Sequence, residues 1–183
     1  PYVDFIKIAS YEILWEDLLI KCAKTKKPII ISTGMANMKE VINAIKILKK
    51  NGAKKIIILH CVSSYPAKLK SLNLSAISTL RKKTKLDIGW SDHSAKSLVV
   101  YKAIQKWKAS FVELHIDLDG KGFEYKSGHC WLPKNAKELI NFVKQDKLVD
   151  GNGKKKPNFE EISERKFRAD KIDGLRPIRK YRK

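Results

Sequence analysis

Cysteine is scarce here and builds no framework. Cys22, Cys61 and Cys130 make an odd set of 3 with no C-x-x-C spacing. That excludes a disulfide-stapled scaffold and fits a reducing compartment such as the cytoplasm. Each reads as an ordinary small side chain, the usual fate of a free thiol. Long apolar runs are missing too, so nothing has the length of a membrane span. No G-x-G-x-x-G occurs, and Gly34 alone is no P-loop, so nucleotide binding has no motif behind it. The chain opens at Pro1 without a charged-then-apolar leader, which reads as a processed chain or a fragment. Acidic residues are few, 19 against 39 Lys and Arg, for a formal net charge of +20.

That basic excess raises nucleic-acid or membrane binding as a class. Its distribution argues for a lysine-rich solvated surface instead. Lys24-Thr25-Lys26-Lys27, Lys49-Lys50 and Arg81-Lys82-Lys83 fall at the ends of expected helices, where cations complement the helix dipole. No nucleic-acid signature interleaves with them. The field still favours anionic substrates, and a basic α/β nucleic-acid-binding module stands as the alternative from another class.

What is present is a regular alternation. With 183 residues at 43% apolar, the chain can bury one core. Short Ile-, Val- and Leu-rich strands are predicted to begin near residues 5, 28, 55, 86 and 110. Helices are predicted between them, over Trp15 to Lys26, from Met38 through Leu48, over Leu72 to Lys83 and over Ser94 to Lys108. A last helix is expected over Asn135 to Lys147. Asn37 with Glu40 resembles a capping box, and Gly52 is placed as a left-handed cap. Ser94 is expected to cap the helix behind it, whose apolar stripe is Leu98, Tyr101, Ile104 and Trp107. Near-continuous apolar strands separated by helices indicate an α/β fold with a covered parallel sheet.

Each strand carries its polar residues at its C-terminal end: Ser10 and Glu12, Ser32 and Thr33, His60 and Ser63, Ser91 to His93, then His115 and Asp117. This is the pattern of a (β/α)8 TIM barrel mouth, or of the crevice of an open α/β sheet. Five strands cannot close an eight-stranded barrel. A barrel reading therefore makes residues 1–149 the C-terminal part, about the last five βα units, with about three units expected before Pro1. Residues 150–183 read as a basic linker and tail with one short helix.

The strongest pair is His93 and His115. A strand, a helical crossover and a second strand bring two parallel strand ends to one edge, about 5 Å apart if adjacent. Two neutral imidazoles there could share a divalent metal. They could equally be hydrogen-bonded histidines at strand ends. His60 reads as structural, and His129 as a loop residue, either exposed or touching substrate. Lys7 lies between Ile6 and Ile8; it either meets a phosphate or carboxylate inside a barrel mouth or snorkels to water. Ser10, Ser32, Thr33, Ser63 and Ser91 could offer hydroxyls to a phosphate, although singly each is a common turn or cap residue.

Five pieces in order resemble one family: Lys7-Ile8-Ala9-Ser10-Tyr11-Glu12, Pro28 to Met35, Leu59 to Pro66, Gly89 to Ser94 and Glu113 to Asp119. The family is the sialic acid synthases with the pseudaminic and legionaminic acid synthases, and the resemblance covers roughly residues 1 to 145. It implies a TIM barrel transferase that condenses phosphoenolpyruvate with an N-acylated amino sugar such as N-acetylmannosamine. It implies a divalent metal, manganese first with magnesium or cobalt as alternatives, held by His93 and His115. Lys7 and Ser10 match positions that hold the phosphate, Ser91 and Ser63 match further phosphate contacts, and Glu12 matches the acid beside the sugar and a water. A cytoplasmic homodimer is implied for the whole protein, with no nucleic-acid or membrane partner. Another phosphoenolpyruvate-condensing barrel is the rival enzyme reading. Two features depart from the pattern. Ser127-Gly128-His129-Cys130-Trp131 stands where many members carry a G-P-D-H-type loop, so Gly128 replaces the acid that grips the sugar. The basic tail stands where the family often has an antifreeze-like domain.

Overall fold

The computed structural model of the chain describes residues 2–182, with Lys147 described by its backbone alone. Five strands, β1 (Ile6–Ile8), β2 (Ile29–Ser32), β3 (Ile56–Cys61), β4 (Asp87–Asp92) and β5 (Val112–Leu114), form one sheet in sequential order. Every neighbouring pair is parallel. Helices α1 (Glu16–Lys24), α2 (Met38–Lys50), α3 (Ala76–Thr84) and α4 (Ser97–Gln105) are the crossovers. A short α5 (Phe123–Lys126) and a long α6 (Pro133–Asp150) follow. The predicted strands and crossovers are thus all present. The Leu72 to Lys83 helix is shorter than expected, with a 3-10 turn at Leu69–Ser71 before α3.

The strand register sorts residues by face. Ile8, Ile29, Ile31, Ile56, Ile58, Ile88 and Trp90 join the helices in one buried core. The alternate positions, Lys7, Ile30, Leu59, Gly89, Ser91 and Glu113, point to the other face, since successive side chains alternate. Gly89 is required there. A Cβ at that position would sit 2.5 Å from Leu59 Cδ2 and 2.4 Å from the Phe111 carbonyl oxygen.

One ion pair shows that the sheet curls. Lys7 on β1 lies 3.4 Å from Glu113 on β5, the two edge strands. In a flat sheet four interstrand steps would separate them by about 19 Å. Neither side chain spans that, so the face carrying them is concave. This is the curvature of a partial barrel.

Local signals behave as read at α2. Asn37 accepts from the Lys39 and Glu40 amides, and the Glu40 carboxylate accepts from the Asn37 amide at 2.8 Å. At its other end Gly52 takes φ +103°, with Ala53 N–H donating to Leu48 O and Gly52 N–H to Lys49 O, a Schellman closure. The reading failed at α4. Ser94 does not cap it: its hydroxyl donates to Asp92 at 2.7 Å, and the helix starts at Ser97. Of the expected stripe Leu98, Tyr101, Ile104, Trp107, the last two pack against the core. Val99, Val100 and Ala103 are buried while Leu98 is 70% exposed. The start of the helix slides past Ala95, which sits at φ +48°.

The chain divides into two compact units, one ending at Lys144 and one beginning at Gln145. In the second, the segment after Asp150 has no α-helix among its described residues. It has two 3-10 turns, Ser163–Phe167 and Arg179–Tyr181. It is tied internally by polar groups. Asp170 accepts from the amides of Ile172 and Arg179, and Asp173 takes a two-armed contact from Arg182 at 2.5 and 2.7 Å.

Candidate functional site

The C-terminal ends of the strands all face one edge of the sheet, and the predicted residues gather there in three groups. The first is Lys7, Ser91 and Glu113. Lys7 donates to the Ile8 carbonyl at 3.0 Å and pairs with Glu113 Oε2. Ser91, buried, donates to Glu113 Oε1 at 2.8 Å. An ammonium has three hydrogens. One remains for an anion, whereas the Ser91 hydrogen is committed to Glu113. Glu113 was visible in the sequence only as part of a matched motif. Its alternation with His115, like that of Ser91 with His93, was the available signal.

The second group surrounds Gly34. Its amide donates to Ser10 Oγ at 2.9 Å, and Ser10 Oγ lies 3.0 Å from Cys61 Sγ. A Cβ on Gly34 would fall 2.2 Å from Ser63 Oγ and 2.9 Å from both Cys61 Sγ and Ser10 Oγ. The turn is therefore packed around a backbone amide and buried hydroxyls. Ser32 Oγ is buried with no hydrogen-bond partner among the described residues. A buried donor without an acceptor is costly, and a phosphate oxygen would answer it. The residues present fit an anion.

The third group is aromatic. The His93 and His115 rings are 5.0 Å apart, so the predicted pair does meet. His129 joins it, 5.2 Å from His115, and the Tyr65 ring lies against all three at 4.3, 5.1 and 6.0 Å from His93, His129 and His115. His93 Nδ1 faces the Val62 carbonyl at 2.8 Å. A carbonyl only accepts, so Nδ1 carries the hydrogen and Nε2 keeps a lone pair for a cation. Burial first, then the neighbouring His115 and His129, push the His93 pKa below its ordinary value, against the pull of the Val62 carbonyl. Burial also lowers His129. Neutral imidazoles are the metal-binding form, and the set fits a divalent cation.

Glu12 stands in the 3-10 turn Ser10–Glu12 that follows β1, half-buried. His60 is structural, as read: Nε2 meets the Leu72 carbonyl at 3.0 Å, and the ring packs by Trp90. Asp92, inside the Ser91 to His93 strand end, supports the site from behind. Fully buried, it accepts from Trp90 Nε1, Ser94 Oγ, the Ala95 amide and Trp131 Nε1. Asp117 likewise holds a loop, accepting from the amides of Asp119, Gly120 and Gly122. That loop presents Glu124 and Cys130, which sequence reasoning had not singled out. His115, Glu124, His129 and Cys130 place ligand atoms within 4.8 Å of one another.

A parallel α/β sheet with cationic, hydroxyl and imidazole groups gathered at its C-terminal edge defines an α/β protein with a binding site at its strand ends. The chain belongs to the NeuB family, which it matches over residues 1–155. It is 38% identical over 159 residues to the N,N'-diacetyllegionaminic acid synthase of Campylobacter jejuni, covering 85% of this chain and 47% of that protein. It is 33% identical to the pseudaminic acid synthase of Helicobacter pylori, over 95% of this chain and 51% of that one. The crystal structure of an N-acetylneuraminic acid synthetase from Leptospira borgpetersenii, in complex with citrate, superposes with a TM-score of 0.75 at 34% identity, over 89% of this chain and 56% of that one. The chain thus spans about half the length of the curated relatives it matches.

Proposed function

We propose that this chain supplies the C-terminal βα units of a (β/α)8 barrel synthase, residues 1–149, followed by a basic segment over 150–183. The enzyme condenses phosphoenolpyruvate with an open-chain N-acylated amino sugar, giving a nonulosonic acid and phosphate. The names of the relatives support the product class. The observation that carries the reading is the meeting of His93 and His115 at 5.0 Å, on neighbouring strand ends, at the edge that also holds Lys7 and the buried hydroxyls.

Each residue has a part. Carbon 3 of phosphoenolpyruvate bonds to the sugar aldehyde carbon, water adds at carbon 2, and phosphate leaves by C–O cleavage. Lys7, through its remaining N–H, and the hydroxyls of Ser10, Ser32 and Ser63 orient the phosphate. Glu113 anchors Lys7 and holds Ser91, so the ammonium is fixed before substrate arrives. Glu12 is the candidate general base or water-positioning group. His93 and His115 hold the divalent cation, which when bound supplies Lewis-acid polarisation of the carbonyl oxygen. The family resemblance further implies a cytoplasmic homodimer at full length. No helix among the described residues is long and apolar enough to cross a membrane.

Calorimetric titration with phosphoenolpyruvate and manganese tests the site directly. Lys7→Met should lose phosphoenolpyruvate but keep the cation, whereas His93→Ala with His115→Ala should lose the cation. With upstream barrel units restored, phosphate release should depend on an N-acyl amino sugar, N-acetylmannosamine among them. A folded protein that binds the cation yet releases no phosphate with any such sugar would sink the substrate class.

A further inference from the structure

The loop after β5 brings three side chains to one oxygen atom. His115 Nδ1 is 3.7 Å from Glu124 Oε2, His129 Nε2 is 3.9 Å from it, and Cys130 Sγ is also 3.9 Å from it. The two imidazole distances are too long for hydrogen bonds. They match the edges of a coordination tetrahedron. Metal–nitrogen and metal–sulfur bonds of about 2.0–2.3 Å place neighbouring ligand atoms roughly 3.3–3.8 Å apart. The full set spans 4.8 Å, so closing on a cation asks for about an ångström of side-chain adjustment.

The loop is built to hold this set. Trp131 N–H donates to the His115 carbonyl at 2.8 Å, and Asp117 N–H donates to the Trp131 carbonyl at 2.9 Å. These bonds lay the His129-Cys130 segment alongside the His115 strand end. Asp117 ties down the intervening turn through three amides. Ser127 sets the His129 tautomer. Its one hydrogen goes to the Glu124 carbonyl at 2.7 Å, so in its 2.8 Å contact with His129 Nδ1 the hydroxyl must accept. Nδ1 then carries the hydrogen, and Nε2 turns a lone pair toward the carboxylate. The buried imidazole and the exposed Glu124 carboxylate then face each other as two unprotonated acceptors, with no favourable interaction until a cation or proton lies between them. A hydrogen-bonded partner on the far nitrogen is the usual support of a metal-binding histidine.

We propose that His115, Glu124, His129 and Cys130 form a metal centre of nitrogen, oxygen and sulfur ligands, selective for zinc, cobalt(II) or iron(II) over manganese or magnesium. A thiolate with imidazoles suits the softer ions, whereas manganese and magnesium favour all-oxygen surroundings. The inference rests on the proposed synthase's strand-end site and adds a second arrangement beside it, with loop ligands and a softer ion class. His115 lies between His93 and His129, so the two arrangements compete for it.

Cobalt(II) titration of the chain reads the sulfur ligand optically. Wild type should develop a thiolate-to-cobalt charge-transfer band in the near ultraviolet. Cys130→Ser should lose it, while Cys22→Ser, a core position in α1, should keep it. His129→Ala and Cys130→Ser should each weaken zinc affinity at least about tenfold, with manganese affinity of Cys130→Ser within about threefold of wild type. If Cys130→Ser fails to fold, alkylation of wild type mapped by mass spectrometry serves instead, with zinc protecting Cys130. Absence of the band at saturating cobalt, or unprotected Cys130 at saturating zinc, overturns the proposal. Manganese bound through His93 and His115 would in that case leave the proposed synthase intact. A charge-transfer band together with no phosphoenolpyruvate binding would do the reverse.

Discussion

Asp92 offers the sharpest test of how the site is supported. Its carboxylate is 0% exposed and accepts four hydrogen bonds, two from indoles on different elements. Asp92→Ala leaves the Trp90 and Trp131 indole N–H groups unpaired in the core. Each such orphan costs about 1–3 kcal/mol. The Ser94 hydroxyl can turn to another acceptor, and the half-buried Ala95 amide can find water, so those two add less. The expected loss is about 4 kcal/mol, two unpaired buried indole donors at the middle of that range. Against a total stability of roughly 5–15 kcal/mol this is a large fraction. For a chain of this size it lowers Tm by roughly 10 °C. Urea unfolding followed by tryptophan fluorescence should show a lower midpoint with an unchanged m-value. Asp92→Asn should be intermediate, because the amide keeps one acceptor but turns two hydrogens toward groups that themselves donate. A loss below about 1 kcal/mol for Asp92→Ala would refute the account of Asp92 as the anchor between β4 and the Trp131 segment.

Gly34→Ala should destabilise by about 1–3 kcal/mol, because its Cβ would lie 2.2 Å from Ser63 Oγ; calorimetric melting checks the size. The histidines set a pH dependence. His93 and His129 are held below their ordinary pKa of 6.5, so the unfolded chain takes up protons first and stability falls as pH drops below that value. Urea midpoints at about pH 7.5 and about pH 5.5 should show this fall, and His93→Gln should flatten it. In the C-terminal unit, Arg182→Ala removes the two-armed contact to Asp173. Limited proteolysis should then cut between Asp170 and Arg182 faster than in wild type, and unchanged protection would show that the pair does not hold the turn.

Much of this molecule could be read from its residues in order. Apolar strands broken by helices imply parallel pairing, because a helical crossover returns the chain in the same direction. That alone puts every C-terminal strand end on one edge; His93 meets His115 because β4 and β5 are also neighbours in the sheet. The capping box at Asn37 and the closure at Gly52 are likewise contacts among near neighbours. Contacts across the fold were another matter. The Lys7–Glu113 pair exists only because the sheet curls, and curl is a property of five strands together. The start of α4 moved because Asp92 captured Ser94, a competition between capping and a buried carboxylate that periodicity does not record. Cys130 reads as ordinary in the sequence, and His129 as a loop residue either exposed or touching substrate. Their place beside His115 depends on local Asp117 bonds that fold the turn and on two backbone bonds from Trp131 back to His115 and Asp117 that close the whole loop. Sequence by itself determined the elements, their polarity and the edge where the chemistry lies. The tertiary structure alone decided which side chains meet there, because that depends on sheet curvature and loop closure rather than on spacing along the chain.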